Sequence, residues 1–355
     1  MSLQQRSAAE WLADPGRYDT LIDARSPAEF AEDHLPGALN WPVLDDEERA
    51  RVGTLYAESP LEARKLGAVL VSRNIANHLE AHASLITRDW RPLVYCWRGG
   101  QRSGSLALVI SQIGPRTTQL AGGYKGFRAV VRDELAALPT ALHFTVLCGR
   151  TGSGKTRLLQ TLAAQGDQVL DLEALAQHRG SILGAVPGQP QPTQKHFETL
   201  VWQALHRFSP ERPVYVESES ARIGRLRVPE PLLLRMRDHG RSVVVHMDDA
   251  PRIALLLQDY AALTVEVEHF CGLLGHLVAL QGRETVATWQ AQARAGQWGP
   301  LLADLMARHY DPLYQRSTQR HYAALAQAPH ITLHDGSAEA LEQAARALTA
   351  LPPAR

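Results

Sequence analysis

A glycine-rich segment, residues 149–156 (Gly-Arg-Thr-Gly-Ser-Gly-Lys-Thr), constrains the fold of this chain more than any other feature. It follows the apolar run Phe144–Cys148 and precedes a stretch with helical spacing that extends to about Ala164. A strand, a GxxxxGK[ST] loop and a helix in this order form a phosphate-binding loop, in which glycines let backbone N–H groups approach phosphate oxygens. The segment therefore predicts an α/β domain with a site for a diphosphate, whether or not that diphosphate belongs to a nucleotide.

Individual residues of this segment have distinct predicted roles. Lys155 is expected to contact the terminal phosphates of the ligand, and Thr156 is a candidate Mg²⁺ ligand. The rest of the predicted phosphate-binding set consists of Gly149, Arg150, Thr151, Gly152, Ser153 and Gly154.

The acid that usually accompanies such a loop is not evident from the sequence. Glu217 and Glu219 stand at the end of the apolar run Val214–Glu217, and Asp171 stands near the end of the run 168–172. Any of these carboxylates could hold a metal-bound water, and each is as consistent with a helix cap or a salt bridge. We favour Glu217 and Glu219 as substrate-binding acids, because α/β folds bind ligands at the carboxyl ends of parallel strands.

A second loop, residues 96–102 (Cys-Trp-Arg-Gly-Gly-Gln-Arg), follows the apolar run Pro92–Tyr95. A thiol reacts as the thiolate, and that form is favoured by glycine-rich loop amides and by the helix N-terminus expected near Ser103. Cys96 is therefore the predicted nucleophile. The predicted substrate-binding residues of this loop are Arg98, Gly99, Gly100, Gln101 and Arg102. The two arginines suit a phosphate-like group, because guanidinium binds such oxygens in pairs.

Two series of alternating strand-like and helical segments predict two domains. The first covers residues 1–136, and the stretch 135–140 is the predicted linker. The second covers residues 141–355, starts with the glycine-rich segment and becomes helical beyond Pro251. The predicted fold class is α/β throughout, with a P-loop NTPase-like second domain that has a helical C-terminal part.

Composition narrows the class of protein. The 355 residues contain 37 Lys+Arg and 37 Asp+Glu, so no overall positive charge indicates nucleic acid, although a local basic surface is compatible with this sum. Three cysteines, none in a CxxC spacing, argue against a disulfide framework or a cysteine-rich zinc site. Because no signal peptide or membrane-spanning run is evident, we predict a cytoplasmic protein without membrane association.

The chain has two basic features, a cluster of arginines and a short turn. Six arginines lie between positions 222 and 241, namely Arg222, Arg225, Arg227, Arg235, Arg237 and Arg241. Such a cluster is typical of a surface that binds an RNA backbone, and it is equally typical of a solvated helix face. Arg179 lies in the turn 178–181 and suits phosphate or RNA. Because this turn contains Gly180, it is also typical of the C-terminal cap of a helix. We predict that Arg179, Arg222, Arg225 and Arg227 bind RNA.

The first domain resembles the rhodanese homology domain over about residues 8–131. The resemblance is carried by residues 23–25, 29–30, 34–40 and 122–124 together with the Cys96 loop, where this family carries a persulfide. Common rhodanese loops have six residues, whereas this one has seven, as in the related cell-cycle phosphatases. A wider ring of amides favours a substrate larger than the sulfur of thiosulfate, such as a phosphorylated chalcogen donor.

A rhodanese-like domain followed by a P-loop domain resembles the tRNA 2-selenouridine synthases over nearly the whole chain. Shorter segments in the same order support the resemblance: residues 122–125, 171–173, 178–181, 217–220, 222–224 and 310–314. The resemblance implies an enzyme that replaces sulfur by selenium in 2-thiouridine at the wobble position of tRNA. In this family, geranyl diphosphate first alkylates the sulfur, and selenophosphate then supplies selenium.

The resemblance also implies roles for the two loops. The P-loop would hold the diphosphate of the geranyl donor, with Lys155 stabilising the leaving group, and Cys96 would attack or carry selenium. Both donors are co-substrates, so no tightly bound cofactor is expected, and an enzyme that supplies selenophosphate is a candidate partner. The geranyl chain needs an apolar trough, for which residues 253–280 are one source, although a helical core needs the same residues.

Three other functions remain open on the sequence. The first is a kinase or ATPase whose rhodanese-like module senses or docks. The second is a phosphatase, which the seven-residue loop suggests. The third is an adaptor that binds tRNA without modifying it.

Overall fold

The computed structural model describes residues 3–98, 100–181, 184, 188–259 and 266–352, apart from the side chains of 319, 323 and 324. The chain divides into two compact units, Met1–Glu134 and Leu135–Arg355. Both are α/β units built on parallel sheets, and the second has a helical C-terminal part. The predicted fold class is therefore confirmed.

The first unit has a five-stranded parallel sheet in the order β1-β5-β4-β2-β3. Its strands are β1 Gln4–Arg6, β2 Thr20–Asp23, β3 Leu39–Asn40, β4 Pro92–Tyr95 and β5 Thr118–Leu120. Its helices are α1 Ala8–Ala13, α2 Pro27–Glu32, α3 Asp46–Glu58, α4 Pro60–Ala81, α5 Gln101–Ile113 and α6 Gly123–Ala141. The four-residue strand β4 is buried along its whole length, because it lies inside the sheet with helices on both faces.

Buried polar contacts fix the carboxyl edge of this sheet. Arg25 and Asp23 have no exposed surface and form an ion pair of 2.6 Å. The guanidinium of Arg25 also donates to the carbonyl oxygen of Asp33 and lies 4.0 Å from the ring centre of Tyr124. Asp23, at the end of β2, pairs in register with Tyr95 at the end of β4, directly before the loop that carries Cys96.

The second unit has a parallel sheet in the order β12-β11-β6-β8-β7 and a separate antiparallel hairpin. The strands are β6 Phe144–Cys148, β7 Gln168–Leu170, β8 Val214–Glu217, β9 Arg222–Ile223, β10 Leu226–Arg227, β11 Arg241–His246 and β12 His330–Thr332. The helices of the sheet region are α7 Lys155–Ala164, α8 Leu172–Ala176, α9 Gln194–Leu205 and α10 Glu230–His239. Because β6 is the central strand, the glycine-rich segment begins in the middle of the carboxyl edge.

Helices predominate after β11, as predicted beyond Pro251. They are α11 Asp249–Asp259, α12 Val267–Gly275, α13 Val278–Gln281, α14 Arg283–Arg294, α15 Trp298–Leu305, a π-helical turn Met306–Tyr310, α16 Asp311–His321 and α17 Ala338–Thr349. Most of them share a second apolar core, in which Leu256, Phe270, Trp289 and Leu301 are buried. Among the residues that the structure describes, no helix is long and apolar enough to cross a membrane.

Candidate active sites

The carboxyl end of β4 places Cys96 in a buried position, with 3% of its surface exposed. Two backbone hydrogen bonds anchor the start of its loop: the N–H of Tyr124 donates to the carbonyl of Cys96 (2.8 Å), and that of Lys125 donates to Trp97 (2.9 Å). The segment that resembles the end of a rhodanese domain therefore fixes the loop directly.

A short polar chain reaches the sulfur of Cys96. The hydroxyl of Ser103, which is fully buried, lies 3.2 Å from Sγ and donates to it. The Nε2 group of Gln119 donates in turn to Ser103 Oγ (2.9 Å), which directs the serine proton away from the glutamine. A hydroxyl donor at this place would stabilise negative charge on the sulfur. No role for Ser103 or Gln119 is evident from the sequence.

The predicted substrate-binding residues of the loop have different surroundings. Arg98, Gly100 and Gln101 are exposed, and Gln101 begins α5. Gly99 lies outside the described residues. Arg102 contacts both carboxylate oxygens of Glu29, at 2.6 and 3.3 Å. Two of its five N–H donors are thus occupied, and the others remain for an anion.

In the second unit, residues 149–156 form a compact turn that requires glycine. A Cβ atom on Gly149 would lie 2.5 Å from the carbonyl oxygen of Val245, and Gly152 and Gly154 have φ values of +78° and +83°. The side chain of Lys155 lies over the turn and donates to the carbonyls of Gly149 (2.9 Å) and Arg150 (3.3 Å). Lys155 also begins α7, so its charge and the helix N-terminus coincide.

Glu217 is the acid that contacts this turn. Its Oε1 accepts a hydrogen bond of 2.5 Å from the hydroxyl of Thr156, and its Oε2 lies 3.7 Å from Lys155 Nζ. Hydroxyl and carboxylate oxygens fit Mg²⁺, which commonly takes one or two protein oxygens and completes its shell with phosphate oxygens and water. Within the described ranges no group of three or more His, Cys, Asp or Glu could hold a metal.

A cavity of about 590 Å³ opens beside the turn and has two kinds of wall. The polar wall includes Lys155, Thr156, Glu173, Arg179, Glu217 and Glu219. The apolar part consists of Leu255, Leu256, Leu280, Tyr310, Leu313 and Tyr314. The stretch 253–280 thus supplies three leucines to the cavity, while Phe270 and Leu274 from the same stretch pack in the core. The contribution of residues 310–314 to the lining of the cavity is not evident from the sequence.

Two members of the predicted phosphate-binding set do not line this cavity: Arg150 and Ser153. The guanidinium of Arg150 pairs with Asp249 (3.1 Å) and Asp311 (3.2 Å). Arg252, which is 2% exposed, pairs with the same acids and donates to the carbonyl of Thr151 at 3.0 Å. The side chain of Arg150 therefore belongs to a network that ties the turn to α11 and α16, and Ser153 is buried.

Three carboxylates crowd the polar wall. Burial, followed by the negative charges of Glu217 and Glu219, raises the pKa of Glu173 to about 10. Burial and the charge of Glu217 raise the pKa of Glu219 to about 8. A Cβ atom on Gly180 would lie 2.5 Å from Glu173 Oε1 and 3.6 Å from Glu219 Oε2, so glycine keeps this turn close to both acids.

We predict that Glu173→Gln stabilises the protein at alkaline pH. Because the pKa of Glu173 is higher in the folded protein than in the unfolded chain, the folded protein binds more protons and loses stability as the pH rises from about 4.5 toward about 10. At pH 8 the variant should exceed wild type by at least about 1 kcal/mol, or about 2–4 °C in melting temperature. Thermal unfolding across the pH range measures this. A difference between Glu173→Gln and wild type that does not change with pH would contradict the prediction.

Comparisons with known proteins agree with this arrangement. Residues 5–130 match the rhodanese-like domain family, and residues 142–281 match the family described as the tRNA 2-selenouridine synthase AAA domain.

Three relatives are named tRNA 2-selenouridine synthase. The one from Nitrosomonas europaea is 37% identical over 69% of this chain and 64% of its own length, and that from Marinobacter nauticus is 38% identical over 68% and 65%. The one from Shewanella denitrificans is 31% identical over 88% of this chain and 92% of its own length. The first two alignments therefore span just under two thirds of those proteins.

Proposed function

Because the chain belongs to the tRNA 2-selenouridine synthase family, as its sequence predicted, we propose that it replaces sulfur by selenium in 2-thiouridine at the wobble position of tRNA. The reaction uses two sites, one in each unit. Geranyl diphosphate binds at the P-loop and alkylates the sulfur, and selenophosphate binds at the Cys96 loop and supplies selenium. The tRNA substrate places the reaction in the cytoplasm, and an enzyme that supplies selenophosphate is a candidate partner.

The observation that carries this proposal is the cavity with one charged and one apolar wall. The charged side chains suit a diphosphate, and the six leucine and tyrosine side chains suit the apolar prenyl chain attached to it. In the first step, the sulfur attacks C1 of the geranyl group while the C1–O bond breaks, and the N3 proton of the base is released. Lys155 and the N-terminus of α7 stabilise the charge on the departing diphosphate. Mg²⁺, when bound, would neutralise part of that charge, and Thr156 and Glu217 would hold it.

The second step follows from the product of the first. A thiocarbonyl sulfur is a poor leaving group, whereas the S-alkylated carbon C2 is electrophilic and loses its sulfur as geranylthiol. Cys96 attacks C2 and displaces geranylthiol, and Ser103 stabilises negative charge on its sulfur. The selenium of selenophosphate then displaces Cys96 from C2, and water cleaves the Se–P bond to leave phosphate and 2-selenouridine. Arg98 is exposed and the free donors of Arg102 are available, so both suit the phosphate oxygens of selenophosphate.

Nucleoside mass spectrometry tests the proposal. Transfer RNA containing 2-thiouridine is incubated with the enzyme and with the two donors, added separately and together. Geranyl diphosphate alone should yield S-geranyl-2-thiouridine, selenophosphate alone should yield no change, and both together should yield 2-selenouridine. If the nucleoside stays unchanged while the enzyme hydrolyses ATP at a rate unaffected by Cys96→Ser, the chain is an ATPase or kinase with a docking rhodanese module instead.

A further inference from the structure

The hairpin β9–β10 carries two arginines side by side. Arg222 and Arg227 are directly opposite each other in the antiparallel register, so their side chains lie on the same face, and both are exposed. Their neighbours Ile223 and Leu226 are buried on the other face. Gly224, with φ +57°, begins the two-residue turn that joins the strands.

Two glutamine side chains hold this hairpin in place. Gln194 donates to the carbonyl of Arg227 (2.9 Å) and accepts from its N–H (2.8 Å). Gln191 donates to the carbonyl of Ile223 (3.0 Å) and accepts from the N–H of Arg225 (2.9 Å). These side-chain amides thus form hydrogen bonds with backbone groups of the hairpin that would otherwise pair with a third strand. The hairpin is rigid before any ligand arrives, so little ordering entropy is lost on binding.

Three other arginines of the cluster donate to backbone carbonyls of the fold. Arg235 donates to the carbonyl of Leu142 (3.2 Å), Arg241 donates to Pro352, and Arg225 donates to the carbonyl of Gln191 (2.5 Å). By contrast, no acid pairs with the two guanidinium groups of the β9–β10 face among the residues that the structure describes. Like charges directly opposite each other destabilise a hairpin, and a bound polyanion would remove that repulsion.

The hairpin lies beside the cavity. Ser220, which lines the cavity, accepts a hydrogen bond from the N–H of Arg222 at 3.2 Å. On the other side, a Cβ atom on Gly224 would lie 2.9 Å from the ring of His178, so the hairpin turn touches the turn 178–181. That second turn contributes Arg179 and Gly180 to the cavity wall.

We propose that Arg222 and Arg227 form a clamp for two phosphates of the RNA strand next to the reacting nucleotide. The inference rests on the proposed function, which makes RNA the substrate. Guanidinium groups bind phosphate oxygens in pairs, and a rigid pair of them beside the cavity holds the strand while the base enters. Arg225 is a positioning residue in this account, because its guanidinium holds the loop 191–192 rather than facing RNA.

Salt-dependent RNA binding tests the clamp. Arg222→Gln and Arg227→Gln, singly and together, are compared with wild type by fluorescence anisotropy with 2-thiouridine tRNA over a series of KCl concentrations. Each substitution should weaken binding about 5–10-fold at low salt and lower the slope of log K against log salt by about 0.7–0.9. Affinity for geranyl diphosphate should be unchanged. Arg346→Gln removes the same charge from an exposed pair with Glu342 and should leave the slope unchanged. Arg222→Lys keeps the positive charge and should show the wild-type slope.

The possible results separate the clamp from the proposed function. If the double variant shows the same slope of log K against log salt as wild type, the clamp is overturned, even if the enzyme modifies tRNA. If the Arg222→Gln and Arg227→Gln variants bind tRNA normally but no longer bind poly-glutamate, the clamp is also overturned, because the hairpin would then fit an acidic protein. If wild type shows the expected slope but transfers no geranyl group, the clamp stands and the proposed function fails.

Discussion

Lys155→Ala is expected to lower the rate of S-geranylation by about 10³-fold. The lysine ammonium lies over the P-loop turn, where it contacts two carbonyls of the turn and lies 3.7 Å from Glu217. Without it, charge that develops on the departing diphosphate loses its nearest cation. The rate is measured by mass spectrometry of the nucleoside after incubation with geranyl diphosphate alone.

Two comparisons make this result specific. Lys65→Ala removes the same charge from an exposed pair with Glu62 in the first unit, and it should leave geranylation unchanged. Selenation of tRNA that already carries the geranyl group should proceed in Lys155→Ala at the wild-type rate. Wild-type geranylation in Lys155→Ala would show that the P-loop does not hold the diphosphate donor.

Cys96→Ala is expected to abolish selenation, by at least about 10³-fold, while geranylation continues. The sulfur of Cys96 is the protein nucleophile of the proposed second step, and the Ser103–Gln119 chain reaches it. S-geranyl-2-thiouridine should therefore accumulate when both donors are present, and its amount over time is the measurement.

Cys271→Ala is the matched control, because burial raises the pKa of the Cys271 thiol and this residue packs in the helical core. It should retain selenation. If Cys96→Ala retained selenation, or if it lost geranylation along with selenation, the assignment of the second step to this loop would be wrong.

The sequence predicted those parts of the sites that depend on local spacing. The P-loop turn, the strand before it and the helix after it lie within about twenty residues, and their residue types determine the local backbone. Glu217 and Glu219 were favoured because the polar run 217–220 stands at the carboxyl end of a strand, and in the structure Glu217 accepts a hydrogen bond from Thr156. The role of each site residue remains a prediction.

Contacts between distant segments could not be predicted in this way. Glu29 and Arg102 are 73 residues apart, and Arg252 and Asp311 are 59 apart, so their pairing depends on how helices pack. The tyrosines at 310 and 314 reach the cavity through the packing of the helical part, for which spacing gives no signal. Sequence spacing also does not show which of the clustered arginines have partners. Among the described residues, no acid pairs with Arg222 and Arg227, whereas Arg225, Arg235 and Arg241 donate to backbone carbonyls.

The predicted linker has a regular secondary structure. Residues 135–140 were predicted to connect the domains. In the structure they form the last turns of α6, which extends to Ala141. Alanine and leucine favour helix, and a proline so close to the C-terminal end of the helix does not break the turns before it.

The most direct test of the two-site account supplies the intermediate itself. Purified S-geranyl tRNA and selenophosphate are given to Lys155→Ala and to Cys96→Ala, and 2-selenouridine is measured by nucleoside mass spectrometry. The account predicts that Lys155→Ala forms 2-selenouridine and that Cys96→Ala forms none. Conversion by Cys96→Ala together with failure of Lys155→Ala would contradict it.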